Sequence, residues 1–304
     1  MFRRTLLASV GALALTGAAL AADLPSRAPP PVFLPPPPIF TWTGLYVGLN
    51  AGYTWSNNNH VNTATADLFG NPDLAGGPAF GVASAALATG SVPAKIDGFI
   101  GGGQIGYNWQ LTNSWVVGLE ADIQGIAASN GSTLEFSHAT VADFPGNPID
   151  QNLSSRRRLD YLGTVRGRVG FTITPTFLVY GTGGLAYGQT KSSTSITQIV
   201  ESDPALPNHD SSFGSFSNTR VGWTAGGGGE WLFAPNWSVK VEYLYYDLGS
   251  VTYGLSPLQN FNSAGTLFTS GAPVSRTRFT GNIVRAGLNY HFNLWGPAPI
   301  VAKY

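Results

Sequence analysis

Apolar residues alternate with polar or small residues over much of the segment 42–292, and this pattern predicts β-strands. Side chains of a strand point alternately to two faces, so a strand between lipid and a lumen has a period of two residues. In the run 115–124, Val117 and Leu119 share one face, and Glu120 lies on the other. Eight runs are predicted as strands, at 44–53, 103–109, 115–124, 159–171, 177–188, 220–231, 237–245 and 283–292.

The connections between these runs are of two kinds. Three are very short, at 110–114, 172–176 and 233–236, and four are long and polar, near 56–97, 126–157, 190–218 and 250–277. Short turns at one end and long loops at the other are typical of barrels that span an outer membrane. We therefore predict an all-β fold, an eight-stranded antiparallel up-and-down transmembrane β-barrel. Its even strand number places both termini in the periplasm and the long loops outside.

The predicted inner face carries five acids and five bases. An eight-stranded barrel has an interior just wide enough for side chains to fill, and isolated charges there are costly unless they are paired. We expect a network of ion pairs that closes the lumen; the alternative is a narrow channel lined by the same charges. The residues are Glu120, Asp122, Asp160, Arg166, Arg168, Arg220, Glu230, Lys240, Glu242 and Arg285.

The two ends of the chain differ from the strand region. Residues 1–21 have a positive start at Arg3 and Arg4, an apolar stretch and a small-residue cleavage site, which is the pattern of an export signal. Proline dominates the next segment, and because proline fixes φ and lacks an N–H, an extended spacer is expected. The predicted parts are a signal peptide at 1–21, a proline-rich periplasmic linker at 22–40, the outer-membrane barrel at 41–292 and a C-terminal tail at 293–304.

Composition narrows the classes of function. Cysteine is absent, which excludes disulfides, a thiolate nucleophile and a cysteine-based metal site. The formal charge is zero, so nothing global favours a nucleic-acid partner. Charged residues make up 11% of the chain, against about 25% in soluble domains, which indicates that much of the surface faces lipid. Acids in the long loops lack the spacing of a calcium loop, so no metal or cofactor is expected.

An outer-membrane enzyme acting on lipid is the remaining alternative, because some barrels carry catalytic histidines at the outer rim. His60, His138 and His209 lie in separate long loops without a recognisable nucleophile spacing, and His291 lies at the short-turn end. We interpret all four as surface histidines and predict no catalytic residue.

Several sequence blocks resemble one known family. They lie at 42–53, 163–170, 183–188 and 242–249, and together they are similar to the outer-membrane immunogenic protein group of alphaproteobacteria, often labelled a porin family. That group in turn resembles the membrane domain of OmpA-type barrels. The resemblance implies a structural, surface-exposed antigen that supports envelope integrity, with narrow-porin activity as the alternative. The implied partners are outer-membrane lipid, lipopolysaccharide and external ligands of the long loops.

The last strand also resembles the assembly signal of such barrels. Arg285, Gly287, Tyr290 and Phe292 supply its polar residue, its glycine and its two late aromatics. The resemblance therefore implies the barrel-assembly machinery as a further partner.

Overall fold

The computed structural model describes residues 41–130, 132–141, 144–200, 209–261 and 265–292, most of which lie in β-strands. The predicted signal peptide, linker and C-terminal tail lie outside these residues and stay predictions. The elements are β1 (Gly44–Ser56), β2 (His60–Gly70), α1 (Gly77–Leu87), β3 (Gly90–Pro93), β4 (Ile96–Gln110), β5 (Trp115–Asn130), β6 (Ser132–Val141), β7 (Phe144–Thr174), β8 (Phe177–Val200), β9 (His209–Ala234), β10 (Trp237–Gly254), β11 (Leu258–Phe261) and β12 (Leu267–Phe292).

Eight of these strands close into a ring. The order is β1-β4-β5-β7-β8-β9-β10-β12, and β12 pairs back with β1, from Leu45 opposite Phe292 to Ser56 opposite Gly281. Neighbours in the ring are antiparallel. The eight strands contain the eight predicted runs, and the three short turns lie where they are predicted. We call the end of the ring that carries these turns the short-turn end.

The outer face of the ring is apolar. Leu49 of β1 is 74% exposed, whereas its neighbour Asn50 is buried on the inner face. Leu119 and Ile123 of β5 are exposed on the same outer face, whereas Glu120 of β5 is buried on the inner face. Exposed aromatic side chains lie at the short-turn end of this band, which is where aromatic girdles lie in outer-membrane barrels. They are Trp109, Trp115, Phe171, Phe177, Trp231 and Trp237.

A β-bulge in β7 changes which residues face inward. The pairing of β7 with β8 shifts register between Leu159 and Leu162. An extra residue in a strand moves all later side chains to the other face. Leu159 is therefore buried inside, although the alternation predicts it outside, and the predicted inward orientation of Asp160 is wrong.

The prediction of four long loops is wrong for much of those segments. Strands β7, β8, β9 and β12 run for 24 to 31 residues and continue well past the apolar band. Strands β2, β3, β6 and β11 pair with these extensions or with one another, and α1 packs among them. We call this assembly the distal tier. Hydroxyl pairs lie inside it, for example Thr63 with Ser275 at 2.8 Å and Ser155 with Thr194 at 3.1 Å.

Among the described residues, no helix has the length and apolar character needed to cross a bilayer.

A charge placed on the outer face of the ring should destabilise the protein in lipid. Leu119→Arg puts a guanidinium on the exposed apolar face of β5, and we expect a loss of about 2–4 kcal/mol in unfolding free energy. Urea unfolding in phospholipid vesicles measures it. Phe136→Arg is the matched control, because Phe136 is 77% exposed in the distal tier, and it should change little. Equal losses from both substitutions would contradict a lipid-facing band.

Candidate functional site

Eight charged side chains are buried together inside the ring. Four are acids and four are bases, so their formal charges cancel. All eight belong to the ten charges predicted to face inward. They are Glu120 and Asp122 of β5, Arg166 and Arg168 of β7, Glu230 of β9, Lys240 and Glu242 of β10, and Arg285 of β12. We call this group the lumen cluster.

The ion pairs of the lumen cluster cross the ring. Strands β5 and β10 are four places apart among eight, and Lys240 Nζ of β10 lies 2.7 Å from Glu120 Oε1 of β5. Arg285 Nη2 of β12 lies 2.8 Å from Asp122 Oδ2 of β5. These contacts join side chains from facing sides of the ring.

Arg166 is the centre of the lumen cluster. Its Nη2 lies 2.5 Å from Glu120 Oε1 and 2.8 Å from Asp122 Oδ2, and its Nη1 lies 3.0 Å from Glu242 Oε1. The planar guanidinium presents several donors in a fixed fork, which suits contact with more than one carboxylate. One buried cation therefore bridges three buried acids.

Neutral side chains add hydrogen bonds to the carboxylates of the lumen cluster. The Tyr46 hydroxyl donates to Glu120 Oε2 at 2.6 Å, and Asn289 Nδ2 donates to Glu230 Oε1 at 2.8 Å. Arg168 Nη2 also donates to Glu230, at Oε2, over 2.6 Å. Buried ions are tolerated where their remaining hydrogen-bonding capacity is used in this way. The alternation places Tyr46 and Asn289 on the inner face, but it does not reveal these contacts.

Two predicted members lie outside the lumen cluster, so their inclusion is wrong. Asp160 pairs with Arg158 and, at 2.7 Å, with Lys191, because the bulge in β7 turns it outward. Arg220 lies ten residues along β9 from Glu230, a distance of roughly 33 Å at the rise of a strand. Its Nη2 donates instead to the Ser250 carbonyl at 3.3 Å.

Apolar layers fill the ring on both sides of the lumen cluster. Towards the distal tier, buried side chains including Ile96, Leu162, Leu244 and Phe279 form one apolar group. At the short-turn end, Trp42 packs with Val116, Leu178, Tyr180 and Leu232. The lumen cluster thus lies between two groups of buried apolar side chains.

Trp42 is held in place from two directions. Its Nε1 donates to the Pro175 carbonyl at 3.1 Å, and its ring meets the edge of His291, with ring centroids 6.1 Å apart. The surface interpretation of His291 is wrong, because this residue is buried and its Nε2 lies 2.9 Å from Ser238 Oγ. The His291 ring packs against Trp42 inside the short-turn end of the ring of strands.

Glycine makes room for the large inner side chains. A Cβ atom on Gly106 of β4 would lie 2.4 Å from the ring and the hydroxyl of Tyr46. A Cβ atom on Gly287 of β12 would lie 3.2 Å from the side chain of Lys240. The glycine content of the strands thus lets a narrow ring hold Tyr and Lys side chains.

The residues of the predicted assembly signal divide between the two faces. Arg285 belongs to the lumen cluster and Gly287 faces inward beside Lys240. Tyr290 and Phe292 follow at the short-turn end of β12, with ring centroids 5.0 Å apart. Their role in assembly stays a prediction.

The structure describes the side chains of two of the three histidines predicted to lie in long loops, His60 and His138. No group of three histidine, aspartate or glutamate side chains in the described part of the chain could hold a metal ion. His138 Nδ1 lies 2.6 Å from Asp150 Oδ1 in the distal tier, and the two side chains are 57% and 38% exposed. His60 lies 3.3 Å from Ser91 Oγ. The side chain of His209 lies outside the described set.

Comparison with known proteins identifies a family. A family model described as outer membrane protein beta-barrel domain matches residues 11–292. The 31 kDa outer-membrane immunogenic protein of Brucella melitensis biotype 1 is 34% identical over 290 residues, which cover 95% of this chain and 100% of the relative. The 25 kDa outer-membrane immunogenic protein of Brucella abortus biovar 1 is 26% identical over 285 residues, covering 93% and 95%.

One solved structure is similar at a coarser level. The crystal structure of the outer membrane protein OprG from Pseudomonas aeruginosa matches 83% of this chain and 98% of its own, at 12% identity and a TM-score of 0.37. That score is too low to define the fold. The family resemblance drawn from the sequence blocks is confirmed by the family model and by the Brucella relatives.

Removal of the Arg166 guanidinium should lower the free energy of unfolding. Arg166→Met leaves three buried carboxylates without their shared partner, and we expect a loss of about 3–5 kcal/mol in unfolding free energy. Urea unfolding of the refolded protein measures the loss. Lys191→Met is the matched control, since its pair with Asp160 is partly exposed and should contribute at most about 1 kcal/mol. Losses of similar size would contradict a stabilising role for the lumen cluster.

Proposed function

This chain belongs to the outer membrane protein beta-barrel domain family, and from that premise we propose that its ring is an eight-stranded transmembrane barrel with a closed lumen. It is a surface-exposed protein of the outer membrane. Its work there is structural: a stable barrel that supports the envelope and carries the distal tier at the cell surface.

One observation carries the closed-lumen proposal. The pair between Lys240 and Glu120 joins strands on opposite sides of the ring, and both side chains are buried. A solute would have to separate this buried ion pair, and breaking a buried pair costs about 3–5 kcal/mol. Because the apolar layers lie above and below, the barrier extends along the ring. This geometry favours a closed lumen over the alternative of a narrow porin.

The distal tier is the part proposed to face the outside. Strands of outer-membrane barrels have short turns on the periplasmic side and long excursions outside, and the tier lies opposite the short turns. Both ends of the ring sequence, Gly44 and Phe292, lie at the short-turn end, so the termini are assigned to the periplasm. The relatives are named immunogenic proteins, and this supports a surface-antigen role for the tier.

A catalytic role is not part of the proposal. The relatives bear the names of immunogenic proteins rather than of enzymes. The pair of His138 and Asp150 is exposed, and the neighbouring Ser137 is on the same strand as His138, one residue before it. Successive side chains of a strand point to opposite faces, so this serine does not face the pair as a nucleophile would. We therefore propose a structural role without catalysis.

Purified, refolded protein should not conduct. In planar-bilayer recordings we expect no stable, voltage-independent current steps, because the lumen cluster and the apolar layers close the ring. A general porin refolded in the same detergent is the positive control. Reproducible steps from monomeric protein would overturn the closed lumen and restore the porin alternative.

Orientation can be tested on intact cells. A short epitope tag inserted after Asp73, an exposed residue between β2 and α1, should bind antibody added to whole cells. The same tag inserted after Asn113, in the short turn between β4 and β5, should bind only after the outer membrane is permeabilised. The reverse pattern would contradict the assigned orientation. Equal expression of the two tagged proteins is the control.

A further inference from the structure

The distal tier carries a pocket of about 280 Å³ on the sheet formed by β6, β7 and β8. Cross-strand pairing sets His138 beside Asp150 and Phe136 beside Asn152, and residues paired in this way share one face of a sheet. Ile199 of β8 lies beside Asp150 on the other side. This face is the outer one, since Phe136 is 77% exposed. We call the space between these five side chains the tier pocket.

Asp150 gives the tier pocket its charge. Its side chain is 38% exposed, and its Oδ1 lies 2.6 Å from His138 Nδ1, which leaves Oδ2 outside this contact. Among the described residues that line the pocket, Asp150 is the only acid and His138 is the only base. With a neutral imidazole the pocket therefore has one net negative charge, and a cation is attracted to it.

Two further groups in the tier pocket favour a cation. Asn152 Oδ1 is shielded from solvent and has no hydrogen-bond partner within the described part of the chain. An unpartnered acceptor of this kind is costly, and a donor beside it relieves the cost. The Phe136 ring is exposed, and the face of an aromatic ring attracts cations because its quadrupole is negative there. The carboxylate, the amide oxygen and the ring face thus all suit a positively charged donor.

The apolar walls of the tier pocket select the shape of that cation. Asp150 and Asn152 lie on β7, with Phe136 on the strand to one side and Ile199 on the strand to the other. A lysine side chain combines an apolar four-carbon stem with a compact ammonium that has three N–H donors. The stem suits the two apolar walls, and the ammonium suits the two acceptors. A quaternary ammonium has the same charge but no donor for Asn152 Oδ1.

We infer that the tier pocket binds a primary alkylammonium group, with its nitrogen near Asp150 and Asn152 and its stem against Phe136 and Ile199. Lysine side chains and free diamines share this chemistry, and they differ in the second charge that a diamine carries. The inference goes beyond the proposed function. Only the exposure of the pocket to the outside of the cell rests on the proposed orientation, whereas binding by the purified protein does not.

Titration of the purified, refolded protein tests the inference. Because the chain has no cysteine, a single Thr140→Cys substitution places a fluorine label at an exposed position two residues from His138. The probes are Nα-acetyl-lysine amide, its uncharged norleucine analogue, choline and cadaverine, each titrated at constant pH and ionic strength. Fluorine NMR of the label gives the affinity. We expect a saturable shift with the lysine probe, and binding weaker by about tenfold or more for the norleucine analogue and for choline.

The probes give distinct outcomes. Equal binding of the norleucine analogue would overturn recognition of charge, and equal binding of choline would overturn recognition of N–H donors. The absence of a saturable shift with any probe would overturn the site itself. Tighter binding of cadaverine than of the lysine probe would assign free diamines as the ligand, and the converse would assign lysine side chains. Both of these results support the tier pocket.

Two substitutions in the tier pocket and one control locate the binding. Asp150→Asn removes the charge with little change of shape, and it should weaken binding of the lysine probe about tenfold or more. Phe136→Leu removes the ring face but keeps an apolar wall, and it should weaken binding roughly two- to fivefold. Asp73→Asn removes an exposed acid from the connection between β2 and α1 and should leave binding unchanged. Equal losses in Asp73→Asn and Asp150→Asn would overturn the pocket in favour of a general acidic surface.

Failure of this inference and failure of the proposed function are distinguishable. The titration uses purified protein, so the affinities do not depend on the side of the membrane that the distal tier faces. The epitope-tag pattern on whole cells depends on that side alone. The pair of His138 and Asp150 is partly exposed, so Asp150→Asn should leave the fold intact, with an unchanged circular dichroism spectrum.

Discussion

A backbone amide inside a lipid bilayer has no water to bond with, so each spanning strand needs a partner on both sides. The pairing of β12 with β1 meets that requirement for the eight ring strands. Closure also fixes the size of the interior, because eight strands leave only enough space for side chains. The contents of the lumen, its glycines and its balance of charge all follow from this one condition.

A narrow interior has to be filled by groups that satisfy one another. In this protein four acids and four bases do so through contacts that join facing walls, with Arg166 between three carboxylates. Apolar side chains pack around Trp42 at one end of these contacts and around Phe279 at the other. The arrangement ties distant strands together. It is more typical of a stable structural barrel than of a channel.

The period of two residues predicts the eight ring strands and eight of the ten inner charges, because lipid and lumen differ strongly in polarity. The bulge near Asp160 adds one residue to the period, and no local sequence signal marks it. The distal tier escapes prediction for another reason. Its inner face carries hydroxyl side chains such as those of Thr63 and Ser275. Both faces of these strands are therefore polar in sequence, and the segments cannot be distinguished from polar loops by hydrophobic alternation. Alternation places His291 on the same inner face as Asn289, but it does not reveal the contact of His291 with Trp42, 249 positions away.

In the proposed orientation, the strands of the distal tier give the cell-surface part of the molecule a defined shape. Residues that an antibody would touch together, for instance on β2 and β12, come from segments about 200 positions apart in the sequence. Such epitopes are conformational rather than linear. Sera raised against the folded protein would then recognise peptides from these segments poorly, and a vaccine built from isolated peptides would miss much of what the native surface displays.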